Sequence, residues 1–211
     1  MERLSVYIMS KPFTPDEMAK MENVVSSFLE ENQITLTPPV DIFKFATELG
    51  FDIRAAKLPG EIEGLIIVDE SSEKISKFRT SKVIGYNIKF DLIKNKFIVA
   101  HELAHYIDKK MSQDDHRSKI VVAAREPCGP DYSNNVDEQR KDYIAAALLI
   151  PKDDLLEKLK KLKKLPSDMS LLDDQFYQKL ADYYQVDVRL AKRRVKEVSP
   201  WQTGGEIHRS C

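Results

Sequence analysis

Apolar residues first recur at helical spacing over residues 14 to 32, where Met18, Met21, Val25, Phe28 and Leu29 form one stripe. Thr14 and Glu17 can close a capping box at its start, with Pro15 at the first helical position. A second helix is predicted after Thr37-Pro38-Pro39, turning Ile42, Phe43, Phe45, Ala46 and Leu49 inward and ending at Gly50, the usual left-handed cap. The period then changes. Phe51 to Ala55, Gly64 to Val68 and Lys82 to Asn87 are short, rich in β-branched residues, and separated by Pro59-Gly60 and the polar stretch Asp69 to Ser81. They predict three strands of one small sheet. A helix from about Lys94 to Lys110 follows, with an apolar side to pack on that sheet. Residues 111 to 135 hold no sustained period beyond a possible short segment, Lys119 to Ala124. Helical spacing resumes from Val136 to Ile150 and is stopped by Pro151. Further helices are predicted from Asp153 to Lys164, near Asp173 to Tyr184, and from Val188 to Glu197. The pattern is that of an α+β fold, divided into a tail at 1–13, a main domain at 14–165, a C-terminal helical segment at 166–198 and a tail at 199–211.

Composition changes this picture little. Lys+Arg 33 against Asp+Glu 34 leaves a net charge of -1 over 211 residues, which gives no overall attraction to nucleic acid or to a membrane surface. The lysines of 153–164 read as a solvated face. Two cysteines, Cys128 and Cys211, in a chain large enough not to need a staple favour a reducing compartment and free thiols. No apolar run approaches the roughly 20 residues of a membrane span, and Met1-Glu2-Arg3-Leu4-Ser5 opens no signal peptide. A cytoplasmic protein is expected.

Candidate chemistry concentrates in His101-Glu102-Leu103-Ala104-His105, after the apolar Phe97-Ile98-Val99-Ala100. On a helix the two histidines lie one turn apart and aim both imidazoles at one place, sharing a face with Phe97, Ile98 and Asp108. Glu102 projects about 100° round the helix from His101, close enough to reach a water held there. This is the H-E-x-x-H arrangement, in which the histidines bind Zn²⁺ and the glutamate serves as general base. The bland alternative is a buried helix whose histidines merely hydrogen-bond to neighbours, at about 1–3 kcal/mol for each ring nitrogen left unsatisfied.

A catalytic zinc usually takes three protein ligands. On the 136–150 helix, Glu138 shares a stripe with Asp142, Ala145 and Leu149, so its carboxylate lies on the inward face, where it must be protonated, paired or bound to a cation. Asp137 falls off that stripe and Glu126 lies in the irregular stretch, which leaves them as weaker competitors. Asp142, one turn on, can accept the free ring N–H of a ligating histidine and fix its tautomer; it could equally be a surface acid or a partner of Arg140 or Lys141. H-E-x-x-H followed by E-x-x-x-D resembles the glutamate-zincin arrangement of metallopeptidases.

The wider resemblance is to the ImmA/IrrE family of metallo-endopeptidases. It is carried by Pro39-Val40-Asp41-Ile42 running to Glu48-Leu49-Gly50-Phe51, by Ile84-Gly85-Tyr86-Asn87 with the stretch from Phe97 to His105, by Glu138 with Ile144 through Pro151, and by Leu180 to Val186 leading to Arg193-Arg194-Val195. It spans about residues 15 to 198. The resemblance implies a zincin-like metallopeptidase core, zinc on His101, His105 and Glu138, and Glu102 as general base, with other divalent metals open. It also implies a protein substrate: regulatory relatives cleave a helix-turn-helix repressor, often encoded beside them on a mobile element or in a stress-response locus, and so relieve repression. Lys141 departs from the small residue usual in the family, and the stretch between His105 and Glu138 is long. That stretch is a candidate substrate-facing lid. The oxyanion donor stays open among Tyr106, His116, Tyr132 and His208.

Two other classes compete. Leu180 to Val195, with a turn near Gln185-Val186-Asp187 and basic residues Arg189, Lys192, Arg193, Arg194 and Lys196, has the look of a helix-turn-helix that binds DNA or a repressor. The same segment can instead pack on the core through Leu190, Ala191 and Val195. A metal-binding but proteolytically silent protein, such as a toxin-antitoxin component, is the third reading.

Overall fold

A computed structural model describes residues 13–69, 80–112, 120–125, 135–161 and 173–199. Seven helices and four strands lie within these ranges: α1 (Pro15–Glu31), α2 (Ile42–Glu48), β1 (Asp52–Ala56), β2 (Gly64–Asp69), β3 (Lys82–Asn87), α3 (Leu92–Met111), β4 (Ile120–Arg125), α4 (Val136–Leu149), α5 (Lys152–Lys161), α6 (Asp174–Tyr184) and α7 (Val188–Val198). The fold is α+β, as the periodicity predicts.

Local chemistry starts each helix. The Thr14 backbone N–H donates to Glu17 Oε2 at 2.7 Å and the Glu17 N–H donates back to Thr14 Oγ1 at 3.3 Å, so the predicted capping box closes around Pro15. Asp91 and Asn135 cap α3 and α4, accepting from the backbone N–H of Lys94 at 2.8 Å and of Glu138 at 3.1 Å. Gly50 follows α2 with φ of +85°, the left-handed position where a Cβ would be strained. Of the predicted stripes, Met21, Val25 and Phe28 of α1 and Ile42, Phe45 and Ala46 of α2 are buried. Met18, Leu29, Phe43 and Leu49 sit at the margin of the same core.

The three expected strands form, and a fourth extends the sheet, in the order β1-β3-β2-β4. β1 runs parallel to β3, while β2 is antiparallel to both β3 and β4, with Ile66 opposite Ile84 and Gly64 opposite Arg125. The sequence marks this fourth strand only as a possible short segment, because Ile120-Val121-Val122-Ala123-Ala124 lacks polar alternation. The remainder of the candidate lid, residues 113–119 and 126–134, lies outside the described residues, as does Cys128.

α3 is the centre of the molecule. It packs against β2, β3 and β4 on one side and against α1, α2 and α4 on the others. From Asn95 to Asp108 every residue except His105 is buried. α4 is likewise buried from Lys141 to Leu149. Both helices are enclosed all round, so the polar side chains they carry inward must find partners there. Among the described residues no helix is long and apolar enough to cross a membrane.

Candidate metal centre

α3 and α4 pack side by side and bring the predicted residues together. His101 Nε2 lies 3.2 Å from His105 Nε2 and 3.0 Å from Glu138 Oε2, and His105 Nε2 lies 3.7 Å from Glu138 Oε1. One ligand atom from each of the three falls within 4.8 Å of the others, which makes them a possible metal site. His101 is fully buried, whereas 12% of the His105 and 26% of the Glu138 side chain is exposed, so the cluster opens to solvent on their side. Glu138 belongs to the first turn of α4, where the helix dipole favours a carboxylate.

The ring orientations test whether a cation suits this cluster. His101 Nδ1 is 2.7 Å from Asp142 Oδ1. An ionised carboxylate can only accept, so Nδ1 carries a proton, and in the neutral ring Nε2 presents a lone pair. That lone pair faces a carboxylate oxygen and a second imidazole nitrogen at the separations above. Such lone pairs repel unless a proton or a cation lies among them. Burial, the largest cause, pushes His105 down to about 4, so its imidazole is neutral near neutral pH and also has a lone pair to give. Two neutral imidazoles and a carboxylate match the donor set of a catalytic zinc.

Glu102 is fully buried and lies one turn after Ile98, on the side of α3 that faces β2. The close approach depends on Gly64 at the start of β2: a Cβ there would stand 2.9 Å from Glu102 Oε1 and would overlap Ile98 Cγ2. Gly64→Ala is therefore expected to destabilise the chain by about 1–3 kcal/mol through overpacking and to displace Glu102. Urea unfolding of the variant beside wild type checks it, and an unchanged midpoint would show that β2 can move aside.

The residues beside the cluster are pinned by charge. Arg140 grips Asp108 through Nε at 2.9 Å and Nη2 at 2.7 Å, while Lys141 Nζ bridges Asp108 and Asp137 at 2.7 Å each. Burial raises the Asp108 carboxyl, but the hydrogen bonds from Arg140 and Lys141 more than offset it and hold it below the usual carboxylate range. Lys141 is thus a buried cation with two carboxylates, and it leaves the register of Glu138 and Asp142 intact. Asp137 pairs with this lysine, and 70% of its side chain is exposed.

Tyr106, one of the oxyanion candidates, is placed elsewhere. Its hydroxyl accepts from Lys82 Nζ at 2.9 Å, and its ring meets Phe28 and Phe51 edge-on, on the side of α3 that packs against α1 and α2. His116, Tyr132 and His208 lie outside the described residues, as do Glu126 and Cys211.

The C-terminal basic residues largely turn to partners within the chain. Arg189 pairs with Asp187 at 2.7 Å, Lys192 with Asp174 at 2.7 Å, Arg193 with Glu197 at 2.6 Å and the buried Arg194 with Glu22 at 2.6 Å. Leu190, Ala191 and Val195 face the core.

The IrrE N-terminal-like domain, a peptidase family, matches residues 46–196. The chain belongs to this family. The matched range runs from within α2 to within α7 and takes in His101, Glu102, His105, Glu138 and Asp142. A solved Mycobacterium tuberculosis transcriptional regulator shares the fold, with a TM-score of 0.51 at 13% identity over 91% of this chain. The chain spans 50% of the length of that regulator. Comparison with curated proteins finds no match.

Two residues at the site escaped the sequence reading. Gly64 carries no motif, and only the strand pairing places it against α3. Arg193 enters the sequence reading only in the basic run and in the C-terminal stretch of the family resemblance, with no role at the site.

Proposed function

We propose that the chain is a zinc-dependent endopeptidase that hydrolyses a peptide bond in one protein partner, a helix-turn-helix transcriptional repressor, and so relieves repression. The observation that carries this reading is the convergence of His101, His105 and Glu138 from two helices, with the Asp142 carboxylate on His101 Nδ1. Membership of a peptidase family supports hydrolysis, and the likeness in fold to a protein described as a transcriptional regulator agrees with a regulatory setting. A repressor substrate would place the reaction in the cytoplasm.

In this reading His101, His105 and Glu138 hold the metal. Bound there, zinc would supply Lewis acidity to polarise the scissile carbonyl and acidify water. Glu102 takes the proton of the attacking water on a carboxylate oxygen and delivers it to the departing amine nitrogen. Asp142 keeps the proton of His101 on Nδ1, so that Nε2 stays a donor of electrons throughout.

Elemental analysis tests the ligand set. About one zinc per chain is expected in the wild type, and loss of it in both His105→Ala and Glu138→Ala. Absence of metal from folded wild type would overturn the reading. The substrate is tested by incubating the zinc-loaded chain with helix-turn-helix repressors from its own host and reading cleavage by mass spectrometry. Casein should persist; rapid digestion of casein would mark a general protease instead. The competing DNA-binding reading finds less support, because four of the five basic residues of α7 are held in ion pairs within the chain. A gel shift on DNA from its own locus at two salt concentrations would revive it if binding were tight and salt-steep.

A further inference from the structure

We infer that Arg193, on the C-terminal helix α7, is a positioning residue for the metal centre, acting on His101 through Asp142. The inference rests on the metal-site reading above and adds a contributor that the H-E-x-x-H and E-x-x-x-D patterns do not contain.

Asp142 is almost fully buried and its two oxygens face different partners. Oδ1 meets His101 Nδ1 at 2.7 Å, and Oδ2 faces Arg193 Nη1 at 4.0 Å. Only 2% of the Asp142 and 10% of the Arg193 side chain is exposed, so the charge of one is felt by the other with little screening from water. Arg193 is itself held. Its Nε donates to Glu197 Oε1 at 2.6 Å, one turn further along α7. The other carboxylate oxygen of Glu197 lies 3.6 Å from Arg194 Nη1, whose guanidinium is anchored to Glu22 of α1. The result is a chain of alternating charge, Glu197 to Arg193 to Asp142, that runs from α7 into α4 and ends on the His101 ring of α3.

Each link has a physical task. A carboxylate can rotate about its last torsion, and an acceptor that rotates does not hold a ring in one orientation. A guanidinium on the second oxygen opposes that rotation and leaves the first oxygen aimed at Nδ1. The packing of α7 on α4 is what brings this charge into place. The C-terminal helix pair thereby contributes to metal affinity, although it supplies no metal ligand.

The test compares zinc affinity, by competition with a chromophoric chelator, and the visible spectrum of the cobalt(II)-substituted chain. The proteins are wild type, Arg193→Met, Asp142→Asn and the double variant, all as full chains. Partners of this kind are worth about 10–100-fold in metal affinity. Arg193→Met should weaken zinc about tenfold and shift the cobalt bands, with thermal unfolding used to confirm a folded chain. In the Asp142→Asn background the same change should cost under about threefold, because a residue acting through Asp142 has nothing left to act on. Independent, additive losses would mark a merely structural role and overturn the inference, as would unchanged affinity and spectrum in Arg193→Met. If Arg193→Met does not fold, Glu197→Gln releases the guanidinium from its anchor and should weaken zinc about threefold by the same route; unchanged affinity and spectrum there would overturn the inference. A folded wild type that binds neither metal would remove the metal-site reading itself, whereas metal-binding wild type with an indifferent Arg193 removes this inference alone.

Discussion

Glu102→Gln is expected to slow the proposed cleavage of a repressor by about two to four powers of ten while leaving the metal content of the chain near that of wild type. Glutamine has the same shape, so it should occupy the same buried place between Ile98 and Gly64. It lacks a site that takes a proton at neutral pH, so the attacking water loses its base and the leaving amine its acid. The ligands stay untouched, because Glu102 lies round the helix from the His101 and His105 pair. Cleavage followed by mass spectrometry and zinc by elemental analysis, on one preparation, separate the two effects. Loss of activity with zinc retained supports proteolysis over a silent metal-binding protein. Equal rates would remove Glu102 as the base, and loss of zinc would show that its task is to support the cluster.

What could be read in the sequence follows from how local each cause is. The H-E-x-x-H geometry needs only one helical turn, and α3 forms around it with an Asp91 cap. Glu138 and Asp142 were legible because both fall on the apolar stripe of a second helix, where a carboxylate needs a reason to be. The structure sets both against His101, at 3.0 Å and 2.7 Å. The rest depends on partners distant in the chain. β4 becomes a strand through pairing with β2, and Gly64 matters only because α3 crosses it. Lys141 departs from the small residue usual in the family, yet it is a buried cation shared by Asp108 and Asp137. Lys96, within the most enclosed part of α3, reaches Gln185 Oε1 at 2.6 Å in the turn between α6 and α7. A stripe on a helical wheel assumes one wet face, and α3 and α4 have almost none.

The same failure of the surface assumption applies to Arg194. It reads from the sequence as one of a basic run, yet it is wholly buried. Its Nη1 meets Glu22 Oε1 at 2.6 Å, its Nε donates to the Ile150 carbonyl at 3.1 Å, and its guanidinium carbon stands 5.2 Å from the centre of the Tyr143 ring. The Tyr143 hydroxyl donates to the same Glu22 oxygen at 2.8 Å. One side chain of α7 therefore ties α1 to the end of α4. Arg194→Met should destabilise the fold by about 3–5 kcal/mol, since it strands a nearly buried carboxylate and an uncapped carbonyl. A domain of this kind has roughly 5–15 kcal/mol in all. Adding Glu22→Gln should restore part of the loss, because the orphaned charge goes with it. The effect should also depend on pH in a defined sense. Burial raises the Glu22 carboxyl, but the charge of Arg194 and the hydrogen bonds from Arg194 and Tyr143 more than offset this and hold it below its ordinary value of 4.5. A lowered folded value means that the ion contributes stability above the unfolded value and loses it as the pH falls through the folded one. In Arg194→Met the burial is opposed only by the Tyr143 hydrogen bond and the smaller effect of the Lys152 charge, so the carboxyl takes up a proton more readily in the folded chain. The gap in stability between wild type and variant, measured by urea unfolding, should be widest above about pH 5 and narrow steadily below it. A gap that stays constant into acid would show that Arg194 acts through packing and its bond to Ile150, and that its charge opposite Glu22 contributes nothing.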